Sequence, residues 1–129
     1  MKVLIVESQK DLAIIWQRHL ERMGMSVQRA SGQSDAIAHL REHHTDVIIM
    51  DLVLGDGSAL AVADYASYRL PNAQVIFVTN TSFFSDGSIF RHATNACAFV
   101  QSATPPEDLA AMVEHYGADS SDAEVAQTY

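Results

Sequence analysis

Four short apolar runs punctuate the chain without alternation: Val3 to Val6, Val47 to Met50, Val75 to Val78, and Ala96 to Val100. Unbroken apolar runs of strand length read as strands covered on both faces. Between them the period changes. Leu12, Ile15, Trp16, His19, Leu20 and Met23 recur at the three-to-four spacing of one helix face, and Gly24 supplies a stop. Ser26 to Ala30 predicts an edge strand, followed by a helix over Ser34 to His43. Three more helices are predicted, over Ser58 to Arg69, Asp86 to Ala93 and Pro105 to His115. Thr104 is positioned to cap the last one, with Pro105 at its first position and Glu107 completing a capping box.

The order is βα repeated five times. Such alternation with short loops implies an α/β fold, a doubly wound five-stranded parallel sheet with helices on both faces. Ligands of such a sheet bind outside the carboxyl ends of the strands, where the strand order reverses. Residues 1–116 are expected to form the domain, and the aperiodic, acidic stretch 117–129 a disordered tail.

Composition removes several function classes. The 129 residues fit one core, and 48% of them are hydrophobic, enough to fill it. Eight Lys and Arg stand against 16 Asp and Glu, a formal charge of -8, so direct nucleic-acid binding is not expected. Cys97 is the only cysteine, which excludes an internal disulfide and suits a reducing compartment. No apolar run reaches spanning length and none follows a signal-sequence pattern; a cytoplasmic protein without membrane partners is expected.

Reading the residues just past the central strands gives Glu7-Ser8, Asp51, Thr79 and Ser102, two carboxylates and hydroxyls that the topology gathers at one place. With Val3 to Glu7, the stretch Val47 to Ser58, Val75 to Thr79 and Ala98 to Val100 in order, the chain resembles a response-regulator receiver domain over about residues 2 to 115. That resemblance implies a flavodoxin-like (βα)5 fold with strand order 2-1-3-4-5. It implies that Asp51 is the phosphoacceptor, taking a phosphoryl group from a sensor histidine kinase or phosphotransfer protein. It implies Mg2+ held by Asp51, Glu7 and the Val53 backbone carbonyl, Thr79 bonding the phosphoryl oxygen, and Phe99 as the switch aromatic. Output is expected through protein contacts on the face of the fourth helix, fifth strand and fifth helix. A second copy of the chain is a further candidate partner. No enzymatic activity is implied beyond self-catalysed phosphotransfer and autodephosphorylation.

The chain departs from the family at several positions. Ser8 stands where the second acid of a metal-binding pair is usual, and serine is a poor magnesium ligand, so weakened Mg2+ binding is expected. Ser102 and Ala103 replace a lysine and proline after the fifth strand, which removes an ammonium partner for phosphate. A cis bond there costs about 3–4 kcal/mol, so Ser102-Ala103 is expected trans. Asn80 occupies a place where a very small residue is usual. The two losses cancel in formal charge, leaving the -2 of Glu7 and Asp51. Lys10 is a candidate replacement cation, although a solvated lysine at a helix start describes it as well.

Other motifs carry less. Asp56-Gly57 reads as a turn rather than a ligand. His39, His43 and His44 put two imidazoles one helical turn apart, but no carboxylate stands at a matching spacing, and they read as a solvated helix end. Phe83 and Phe84 fit a core contact and a partner-docking patch equally well. The competing function is a pseudo-receiver, a constitutive interaction module that no longer takes phosphate. A dehalogenase-type phosphatase would want an aspartate where Val53 stands, and a flavodoxin would want a glycine-rich loop after the first strand instead of Glu7 to Asp11.

Overall fold

A computed structural model describes the backbone of residues 1–79 and 95–127 and the side chains of residues 1–79 and 95–118. The strands are β1 (Lys2–Val6), β2 (Ser26–Ala30), β3 (Val47–Asp51), β4 (Gln74–Thr79) and β5 (Ala96–Gln101). They form one parallel sheet in the order β2-β1-β3-β4-β5. The described helices are α1 (Lys10–Arg22), α2 (Gln33–Glu42), α3 (Ala59–Arg69) and α4 (Pro106–Gln127). The predicted helix from Asp86 to Ala93, with Asn80, Phe83 and Phe84, lies outside the described residues.

The unalternating strands are buried on both sides because two helical layers cover them. Leu4, Val6, Ile48, Met50, Val75 and Phe77 face α2 and α3. Val3, Ile5, Val47, Ile49, Ile76 and Val78 face α1 and α4, where Trp16, Leu20, Leu109 and Val113 pack on them. Alternate residues of one strand therefore serve opposite cores, so each strand anchors both layers.

Local chemistry sets the helix ends. Gly24 adopts φ +86°. The Met25 N–H reaches Leu20 O at 3.2 Å and the Gly24 N–H reaches Glu21 O at 3.0 Å, the paired closure that a left-handed glycine permits. The Ser58 hydroxyl accepts from Ala61 N–H at 3.2 Å and caps α3. Two expectations about the last helix are corrected. Its first i to i+4 bond runs from Leu109 N–H to Pro105 O at 3.1 Å, so Pro106, not Pro105, holds the first helical position. Nor does α4 end near His115; it continues through Gln127. One glycine inside a helix costs only about 1 kcal/mol, and the alanines, Glu124 and Gln127 beyond Gly117 favour continuation. Among the described residues, no helix is long and apolar enough to cross a membrane.

Candidate functional site at the carboxyl ends of the central strands

Strand order reverses between β1 and β3, since β1 leads outward to β2 and β3 leads the other way to β4. Val6 is in register with Met50, so the next residues, Glu7 and Asp51, emerge side by side at that reversal. Asp51 is in turn level with Val78, which places Thr79 one step beyond on β4. Ser102 follows on the far side, its N–H donating to Thr79 O at 2.8 Å and adding a rung past the end of β5. Topology and register thus bring Glu7, Asp51, Thr79 and Ser102 along one edge, as the sequence predicts.

Glu7 is only 5% exposed and Asp51 is half-buried. Burial pushes the Glu7 carboxyl up to about 7; the Gln9 N–H, donating to Glu7 Oε1 at 3.1 Å, opposes this, and the Asp51 charge and a side-chain hydrogen bond to Asp51 add to it. A hydrogen bond between two carboxyl groups needs a proton on one of them, and the raised Glu7 is the group that holds it. Near neutral pH the pocket therefore carries less than its formal -2. Val53, 65% exposed, is tied to the acceptor by its own N–H, which donates to Asp51 Oδ1 at 3.1 Å.

Thr79 is 6% exposed, with its neighbour strands fixing its position. Phe99 lies in register with Phe77 and stacks on it, centroids 5.1 Å apart and planes 14° from parallel. Ser8 is exposed, and the Ser102-Ala103 bond is trans. Lys10 lines a cavity of ≈ 270 Å³ with Glu7, Ser8, Arg29 and Asp35, on the β2 side of Glu7. That is the flank away from Thr79 and Ser102, so Lys10 does not occupy the place of the missing lysine.

Sequence reasoning misses Gln33. Its side-chain oxygen accepts from Ser58 N–H at 2.8 Å, and its own N–H donates to Asp56 O at 3.1 Å, tethering the β3–α3 loop to the start of α2. The two ends lie 25 residues apart, and no local pattern links them. Gly57 is the turn residue that makes this approach feasible: its φ is +91°, and a Cβ there would run into the Gln33 side chain. Gly57→Ala is expected to cost about 1–2 kcal/mol, read from urea denaturation, because a left-handed alanine is strained and the tether must shift.

A model of the response regulator receiver domain family matches residues 3–115. The chain belongs to the response-regulator receiver domain family. A CheY-like receiver domain protein from Methanospirillum hungatei superposes with a TM-score of 0.85 at 19% identity, over 94% of this chain and 96% of that one. The N-terminal domain of a three-domain response regulator from Carboxydothermus hydrogenoformans gives 0.83 at 25% identity, over 97% and 99%. The response regulator TrrA from Thermotoga maritima, in complex with Mg2+ and BeF, gives 0.77 at 18% identity, over 89% and 97%. None of the curated proteins compared matches the sequence.

Magnesium is the cation this family implies, and the donors at this receiver edge are of the right kind. Two carboxylates lie together here, with Glu7 pushed up first by burial and further by the Asp51 charge, and they form a hard oxygen pair whose repulsion a divalent cation would relieve. With Ser8 in place of a third acid, among the described residues no three acidic, His or Cys side chains converge, so most of the octahedron would be water. Ser8→Asp is expected to lower the melting temperature without magnesium at pH 8, and Ser102→Lys to raise it, each by about 3 °C, with the double variant near the parent. Single changes indistinguishable from the double change would contradict the charge cancellation.

Proposed function

We propose that this receiver accepts a phosphoryl group on Asp51 from a sensor histidine kinase or phosphotransfer protein and signals by protein contact. The observation that carries this reading is the Glu7–Asp51 carboxyl pair at the strand-order reversal, on the same edge as Thr79. Glu7, Asp51 and the Val53 carbonyl would hold magnesium, which when bound neutralises charge on the phosphoryl oxygens. Asp51 supplies the nucleophile: a carboxylate oxygen forms the new P–O bond as the donor's P–N bond breaks, and the departing imidazole keeps the electron pair. The Val53 N–H, bonded to Oδ1, orients the carboxylate so that the other oxygen leads. Thr79 would donate its hydroxyl to a phosphoryl oxygen, and Phe99, stacked on Phe77, would turn with it. With Ser102 offering only a short neutral group in place of lysine, coupling to the loops is weaker than in the family pattern. Output would pass over the β5 and α4 surface, to an output protein or a second copy of the chain.

A second reading, a phosphorylation-independent module, is favoured by the proton on Glu7 and by neutral Ser8 and Ser102. Incubation with acetyl phosphate and magnesium, followed by intact-mass spectrometry, separates the two. One phosphoryl group is expected on the parent chain and none on Asp51→Asn. No incorporation by a folded parent chain would favour the interaction module.

A further inference from the structure

At the opposite end of the sheet, the starts of β1 and β2 and the end of α2 enclose a cavity of ≈ 280 Å³ whose walls include Lys2, His39, His43, His44 and Thr45. Three of the chain's six histidines meet there. The Thr45 hydroxyl beside this cavity is buried and has no hydrogen-bond partner among the described residues. Asp46, also buried, accepts from the Lys2 backbone N–H at 2.8 Å and pairs with His44 Nε2 at 2.9 Å. The His44 imidazole, beside the other two, is thus fixed by a carboxylate from the approach to β3.

His39 and His43 are held in a defined relation. The His43 N–H donates to His39 O at 3.0 Å, keeping the one-turn spacing although His43 itself has left the helical conformation. Their ring centroids are 4.5 Å apart, with planes tilted by 31°. Metal–imidazole bonds are about 2.0–2.1 Å, so two rings meeting one ion at about 90° have centres about 4.5 Å apart, against about 5.2 Å at the tetrahedral angle. The observed spacing fits the cis positions of a square or octahedral ion, the preference of copper(II) and nickel(II).

We propose that His39 and His43 form a two-imidazole clamp for a divalent transition-metal ion of the nickel or copper type, completed by water. Because no three His, Cys, Asp or Glu side chains converge among the described residues, the clamp is a two-ligand site and not a closed cage. His39 is prepared for it: burial, then the charge of His43, holds its pKa below the ordinary value, leaving the neutral ring a metal needs. Lys2 is the one other charged residue on the wall, and its exposed ammonium is screened by solvent.

The test is a nickel chloride titration of the full chain, without an affinity tag, followed by isothermal calorimetry and the histidine ring signals in NMR. With magnesium in excess to hold the receiver edge, saturable binding of one nickel ion per chain is expected, with the His39 and His43 rings broadened first. His43→Gln, at an exposed position, and His39→Gln should each weaken binding by about tenfold or more. His19→Gln should leave it unchanged. Binding without saturation, or binding unaltered in a folded His43→Gln variant, would each overturn the clamp.

Discussion

Truncating Phe77 to alanine is expected to cost about 3–5 kcal/mol of folding stability, the largest single-residue loss anticipated for this chain. Phe77 is fully buried in the core beneath α2 and α3, and its ring carries Phe99. The substitution removes the transfer energy of the side chain and leaves a void that rigid strands on either side cannot close. It also removes the ring on which Phe99 stacks. A double-mutant cycle of Phe77→Ala with Phe99→Ala, measured by urea denaturation, should show a coupling of about 0.5–1.5 kcal/mol from the stacked pair. Additive losses would mean that the two rings do not support each other.

The second large effect concerns pH. Burial raises Glu7 to about 7 from the ordinary glutamate value of 4.5. A carboxyl whose folded pKa lies above its unfolded one favours the folded state fully below the unfolded pKa. That stability is lost as pH rises through the folded value. Across the whole window the shift corresponds to stability on the order of 3 kcal/mol, of which about 1 kcal/mol is lost between pH 6 and 8. Without divalent cations, the melting temperature should therefore fall by about 3–4 °C over that interval. Glu7→Gln, which keeps an amide donor toward Asp51, should flatten the dependence. Saturating magnesium should also remove it, because a cation makes the ionised pair the favoured form. A flat profile in the parent chain would show that Glu7 is already ionised at pH 6.

How much of this was legible beforehand depends on the range of each interaction. The central strands β1, β3 and β4 announce themselves because each is covered on both faces, which leaves no polar alternation to confuse the pattern. Their order and register then suffice to bring Glu7, Asp51, Thr79 and Ser102 to one edge. The raised pKa of Glu7 was not legible, since it depends first on how far Glu7 is withdrawn from water. Gln33 was missed because its partners come from the loop before α3. The histidines read as a solvated helix end for a related reason: the carboxylate that pairs with His44 does not stand at helical spacing, since Asp46 reaches it from the strand approach two residues on. At α4, the favourable residues beyond Gly117 outweigh one glycine, and the first turn begins one proline later than the capping pattern suggests.

The proposed function makes Asp51 a working phosphoryl site connected to Thr79 and Phe99. Its most direct test is the change in amide NMR shifts when magnesium and beryllofluoride are added to the parent chain and to Asp51→Asn. The account predicts shifts at Asp51, Thr79 and Phe99 in the parent that vanish in the variant. An unchanged spectrum at millimolar magnesium, with the fold intact, would contradict it.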